Sequence, residues 1–152
     1  MEHTPGKVIT PHDDLTYKII GLAMAIHNEL GPGFTEDIYQ RAIIVGLLED
    51  SIPYQTEYRT NVSFRGKHVG AFELDFVVNE RVVVELKAVA VLAPVHKQQA
   101  IAYLAATALP VALLINFGGA KLEYQRLFPP KAVQTSAAYQ TRRSGNNSSP
   151  II

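Results

Sequence analysis

The stretch Phe72-Glu73-Leu74-Asp75-Phe76-Val77-Val78-Asn79-Glu80-Arg81-Val82-Val83-Val84-Glu85-Leu86-Lys87 decides how this chain is read. Two runs rich in Val and Phe flank a polar tripeptide, the pattern of a β-hairpin. Each run carries an acid in its interior, Asp75 in the first and Glu85 in the second, although strands disfavour acids. Side chains alternate along a strand, so Glu85 and Lys87 share a face. Where Asp75 points depends on the loop. A two-residue loop, Asn79-Glu80, pairs Val78 with Arg81 and sends the two acids to opposite faces. A three-residue loop, Asn79-Glu80-Arg81, pairs Val78 with Val82, sets Asp75 across from Glu85 and sets Glu73 across from Lys87. The three-residue loop is the expected one, because it also gathers Leu74, Phe76, Val82, Val84 and Leu86 on the other face.

Directly opposed strand residues hold their β-carbons about 4.5–5.5 Å apart. Two carboxylates at that separation repel unless a proton or a cation lies between them. A hard dication resolves the clash: Mg2+, with Mn2+ as its substitute, takes oxygen ligands from one or two carboxylates, water and phosphate. Such an ion lowers the pKa of a bound water and screens charge developing on a phosphate. Lys87, on the same face, would orient the water and neutralise the transition state. Asp, Glu and Lys together form a minimal machine for cleaving a phosphodiester. The plainer alternative is a Glu73–Lys87 ion pair with Asp75 and Glu85 on a solvated face.

Outward from the hairpin, the upstream chain predicts two helices. Thr10 would cap the first and Pro11 would open it, and Leu15, Ile19, Leu22, Ile26 and Leu30 recur at helical spacing until Gly31-Pro32-Gly33. Thr35 would cap the second, which runs to about Asp50 with Ile38, Ala42, Val45 and Leu48 as its apolar line. Thr56, Tyr58, Thr60, Val62 and Phe64 then alternate with polar residues, a half-buried strand. Downstream, Pro94 opens a helix to about Ala108, residues 111–117 form an apolar strand covered on both faces, and a last strand follows Gly118-Gly119. The order α-α-β-β-β-α-β-β predicts an α/β fold, one mixed β-sheet flanked by helices. Its third and fourth strands should be parallel, with a right-handed crossover. The compact unit is expected over residues 10–128. Residues 131–152, rich in Gln, Thr, Ser, Asn and Arg, are expected to be a flexible C-terminal tail.

Composition narrows the function. Among 152 residues, 14 Lys and Arg balance 14 Asp and Glu, so bulk basicity gives no argument for nucleic-acid binding. With 0 Cys, disulfides and thiol nucleophiles are excluded. No apolar run approaches the roughly 20 residues of a membrane span, and the N-terminus lacks a signal-peptide pattern, so a soluble cytoplasmic protein is expected. His3, His12, His27 and His68 show no zinc-ligand spacing. Two helical patches remain as candidates. Glu36 and Tyr39 lie three apart on one helical face and would reach the sheet together. His96, Gln99 and Tyr103 form a polar stripe on an otherwise apolar helix, as the wall of a polar site would.

Gly33-Phe34-Thr35-Glu36-Asp37-Ile38-Tyr39 resembles the signature of the GxxExxY proteins. The resemblance continues at residues 74–78 and 84–88, at Gln99 with Tyr103, and at Leu114-Ile115-Asn116-Phe117-Gly118, covering about residues 12 to 128. That family is placed in the PD-(D/E)XK nuclease superfamily, whose fold is a mixed sheet flanked by helices, the restriction-endonuclease-like core. The resemblance implies that Asp75 and Glu85 are metal ligands, that Lys87 belongs to the Glu-x-Lys element, that Glu36 is an accessory acid, and that Gln99 and Tyr103 support the site. Leu74 stands where the superfamily often has Pro. Two readings follow: a metal-dependent nuclease acting on DNA or RNA, or a non-catalytic nucleic-acid-binding or protein-interaction module that keeps the fold. A homodimer would give either one a composite groove.

Overall fold

The computed structural model describes residues 13–144. The expected Thr10 cap and Pro11 lie outside the described residues, as do His3 and His12. The elements in chain order are α1 (Asp13–Leu30), α2 (Glu36–Glu49), β1 (Tyr54–Phe64), β2 (Lys67–Val78), β3 (Val82–Lys87), α3 (Pro94–Thr107), β4 (Val111–Asn116), β5 (Glu123–Leu127), α4 (Lys131–Gln134) and α5 (Ala137–Arg143). Through β5 this is the expected order. The five strands form one mixed sheet in sequence order. Only β3 and β4 are parallel, as a helical crossover requires. No helix among the described residues is long and apolar enough to cross a membrane.

Each sheet face carries its own apolar cluster. Phe76, Val78, Val82, Val84, Leu86, Val111, Leu113 and Ile115 pack under α1 and α2. Leu74, Val77, Val83 and Ala112 pack under Ala100, Tyr103 and Leu104 of α3. Every residue of β4 is buried, which explains why its sequence shows no polar alternation.

Three expectations are corrected. The apolar line predicted for α2 faces solvent: Ile38, Val45 and Leu48 are exposed, and Tyr39, Ile43, Gly46 and Leu47 are buried instead. Both faces of α2 are apolar, so periodicity could not choose between them. Gly46 chooses, because a β-carbon there would lie 2.2 Å from Leu22 Cδ1, and the bare backbone lets α1 pack closely. Second, Leu74 does not share a face with Phe76. Glu57, opposite Asp75, has a left-handed backbone (φ 50°), and the ladder skips this pair between Thr56↔Phe76 and Tyr58↔Leu74. Alternation is reset there, so Tyr58, Phe72 and Leu74 turn toward α3. Third, the described part of the segment expected to be a flexible tail carries α4 and α5, with Tyr139 buried and Arg142 Nη1 donating to Ala105 O of α3 at 2.7 Å, while residues 145–152 of that segment lie outside the described residues.

The end of β4 grips the chain leaving β3. Asn116 is fully buried, and its amide donates to Val89 O (2.9 Å) and Glu123 Oε1 (3.0 Å) while accepting from Val89 N–H and Gly118 N–H (both 3.0 Å). Gly118 lies against the same loop, where a β-carbon would meet Val89 O at 2.3 Å and Val89 N at 2.5 Å. Gly118→Ala must therefore displace main chain and should cost about 1–3 kcal/mol. Gly46→Ala meets only the branched end of Leu22 and should cost less. Thermal melting of the two variants checks the ranking; the reverse order would refute the close approach at Gly118.

Candidate active site

The hairpin register is that of the three-residue loop. Val78 pairs with Val82, Val77 with Val83 and Phe76 with Val84, and Arg81 N–H closes the turn on Val78 O at 3.0 Å. The ladder then stops one step before Asp75 and Glu85. Their side chains take over from the main chain: Asp75 N–H donates to Glu85 Oε1 (3.1 Å), and Leu86 N–H donates to Asp75 Oδ2 (2.8 Å). Asp75 is thus released from its strand partners on both sides. Its carbonyl is held instead by Gln40 Nε2 of α2 at 3.3 Å.

The two carboxylates are poorly solvated neighbours. Glu85 is only 5% exposed, and burial first, then the Asp75 charge, pushes its carboxyl up to about 8. Burial also raises Asp75, against the opposing pull of the Leu86 N–H; the Glu36 charge adds to the rise and Lys87 offsets part of it. Lys87 Nζ donates to Gln99 Oε1 at 3.2 Å. Gln99 also hydrogen-bonds the Tyr103 side chain, whose hydroxyl is pushed up to about 12 by burial and by the charges of Glu85 and Asp75. Tyr103 therefore keeps its proton throughout the neutral range, with its ring stacked on Phe72 (centroids 4.4 Å apart, planes at 20°).

The structure thus brings Asp75, Glu85, Lys87, Gln99 and Tyr103 to one end of the sheet on the α3 side. Glu36, exposed at the first position of α2, acts on the pair through its charge. Among the described residues no three His, Cys, Asp or Glu side chains form a group that could hold a metal ion. Tyr39 does not reach the sheet's polar end. It is buried, its hydroxyl donates to Gly31 O at 2.5 Å and accepts from Phe34 N–H at 3.3 Å, and its ring stacks on Phe117 at 4.4 Å. Its role is to fold the turn that presents Glu36. His96 serves its own helix, with Nδ1 accepting from Ala93 N–H at 2.9 Å. The expected Glu73–Lys87 pairing is absent; Glu73 is exposed and lies across β1 from Arg59. Gln40, Asn116 and Phe72 are the site's unforeseen supports. Phe72 and Asn116 fell within stretches that the sequence had marked, whereas Gln40 did not.

The donor set suits a hard dication: two neighbouring carboxylates that repel each other, each with one oxygen on a main-chain N–H. The family model of the PD-(D/E)XK nuclease superfamily matches residues 13–127. No curated protein matches the chain. Solved structures similar to it include the following two. The crystal structure of SSO0001 has a TM-score of 0.48 and 15% identity, over 91% of this chain and 70% of that one. An alkaline exonuclease from Laribacter hongkongensis has a TM-score of 0.47 and 11% identity, over 90% and 79%.

The raised Glu85 carboxyl gives the metal-free protein a signed pH dependence. Between the ordinary 4.5 and about 8, folded Glu85 keeps a proton that the unfolded chain has lost. Stability is then fully present below the lower value and falls as pH rises, by at most about 1.4 kcal/mol per unit from this group. In chelator, the wild-type melting temperature should fall across that window, and Glu85→Gln should flatten the slope. Added Mg2+ should restore the wild type at pH 8 and leave Glu85→Gln unmoved. A flat wild-type profile in chelator would contradict the buried, repelled carboxylate.

Proposed function

We propose that this chain, which belongs to the PD-(D/E)XK nuclease superfamily, is a metal-dependent nuclease that hydrolyses phosphodiester bonds of DNA or RNA. The observation that carries the reading is the exchange of carboxylates for ladder hydrogen bonds at Asp75 and Glu85, beside Lys87. Asp75 and Glu85 hold a divalent cation, Mg2+ or Mn2+, with Glu36 contributing negative charge from α2. When bound, such an ion supplies Lewis-acid screening of the phosphate and a more acidic water.

The chain's own groups do the remaining work. The Lys87 ammonium, steadied by Gln99, orients the attacking water and faces the charge that develops on the phosphate oxygens. Tyr103, neutral at working pH, fixes Gln99 and with it the direction of Lys87. Gln40 keeps Asp75 in place while its carboxylate is loaded. Substrate and cation both enter from the end of the sheet where β2 and β3 separate.

Purified protein should cut DNA or RNA only with Mg2+ or Mn2+, and chelator should abolish the cutting. Asp75→Ala and Lys87→Ala should each lower the rate at saturating substrate by on the order of 10²–10³-fold or more, with melting showing that both fold. Calorimetry should show cation binding to wild type and to Lys87→Ala but not to Asp75→Asn. Equal cleavage by wild type and both Ala variants would assign the activity to a contaminant. Cation-indifferent binding without cleavage would favour the interaction module.

A further inference from the structure

The β1–β2 hairpin outruns the sheet. β2 pairs with β3 only at Phe76, Val77 and Val78, whereas its pairing with β1 continues out to Phe64↔Lys67. Near its base the ribbon packs on α3 through Tyr58, Phe72 and Leu74. Beyond a register shift between Val62 and Ser63, the tip leaves the body. Ser63-Phe64-Arg65-Gly66-Lys67-His68-Val69 contains no acid, and Phe64, Arg65, Lys67 and Val69 are all exposed.

Three features separate this tip from an ordinary solvated turn. Arg65 and Gly66 both have left-handed backbones (φ 51° and 75°), as a two-residue hairpin turn requires. Asn or Gly would occupy the first of these positions at less cost, so the arginine is a conformational expense at the exposed turn of the ribbon. Its guanidinium is also not left to roam: it lies over the Phe64 ring, 4.9 Å from the centroid, which lowers the entropy lost on fixing it to a ligand. Finally, the chain as a whole is neutral, so a concentrated cationic tip is a local departure. A two-stranded ribbon is also a shape that the major groove of B-form DNA admits.

We propose that the β1–β2 arm is a grip for duplex DNA, with Arg65 and Lys67 on phosphates flanking the groove. This deepens the nuclease reading and rests on it for what is cut, though not for what is bound. Geometry sets the reach. Lys67 precedes Asp75 by eight positions on one strand, about 26 Å of extended chain, or roughly 8 base pairs at 3.4 Å each.

The test is equilibrium binding of a fluorescent DNA duplex of about two helical turns in chelator, so that nothing is cleaved, over a salt series. Wild type is compared with Arg65→Gln/Lys67→Gln, whose exposed positions leave melting unchanged. Two lost phosphate contacts should reduce the slope of log affinity against log salt by about 1.8 and weaken binding at low salt by at least roughly tenfold. The penalty should be far smaller on single-stranded DNA of equal length and on duplex RNA, whose major groove excludes such a ribbon. Unchanged slope and affinity would overturn the grip, as would equal losses on all three ligands or no duplex binding by wild type. Arm-dependent duplex binding by a wild type that never cuts with Mg2+ would leave the grip standing and remove the nuclease reading alone.

Discussion

The hydrogen bonds from the main-chain N–H groups of Asp75 and Leu86 to the carboxylates of Glu85 and Asp75 close a sheet that would otherwise come apart at this point. A strand pair that diverges inside a protein leaves N–H and C=O groups without partners, at about 1–3 kcal/mol for each one buried. Here acids fill the gap, so each carboxylate supports the fold at the same place where it would hold a cation. The arrangement also explains the apparent misuse of acids in strands. Glu85 keeps its place in the β3–β4 ladder, but between β2 and β3 the regular pairing has ended at Phe76 and Val84. The two carboxylates replace the β2–β3 ladder there, and Gln40 supplies the third partner by donating to the Asp75 carbonyl.

What keeps that gap aligned with α2 and α3 is a set of buried contacts at the end of β4. Phe117 stacks on Tyr39 with the planes only 7° apart, and His27 Nε2 donates to Gly119 O at 2.9 Å. Tyr39 in turn pins the Gly31 and Phe34 peptides, which fixes where α2 begins and hence where Glu36 stands. Asn116 and Gly118 hold Val89, just past Lys87. The short stretch after β4 thereby sets the position of the acid on one side and the lysine's exit on the other, although neither Asn116 nor Phe117 has chemistry to offer a substrate.

The hairpin was legible because its two apolar runs fit together in one register, and a one-residue slip would have sent every side chain to the wrong face. The pair skipped between β1 and β2 was not, since it coincides with the left-handed backbone of Glu57, and an acid inside a strand pattern carries no mark of that conformation. The inward face of α2 was misread because Ile38, Val45 and Leu48 repeat as regularly as Tyr39, Ile43 and Leu47 do. A glycine's missing side chain decided between them. Lys87, Gln99 and Tyr103 could be found from spacing, because helix and strand periods place them on faces. Gln40 could not, because a single amide on a helix has no period to break.

Charge connects the site to the arm. Asp75, Glu85 and Glu36 stand within electrostatic reach of one another and of Lys87, so an ionised pair without a cation presents net negative charge to a polyanion. A chain with 14 basic and 14 acidic residues offers no general field to overcome this. Under the proposed function, attraction would have to be local: a dication neutralising the pair, and fixed positive groups far enough away not to compete for the same carboxylates. A basic residue brought close to Asp75 would stabilise the metal-free form and weaken the demand for the ion. On the proposed grip, Arg65 and Lys67 carried on the two-stranded ribbon would supply positive charge for binding while leaving the acids short of it.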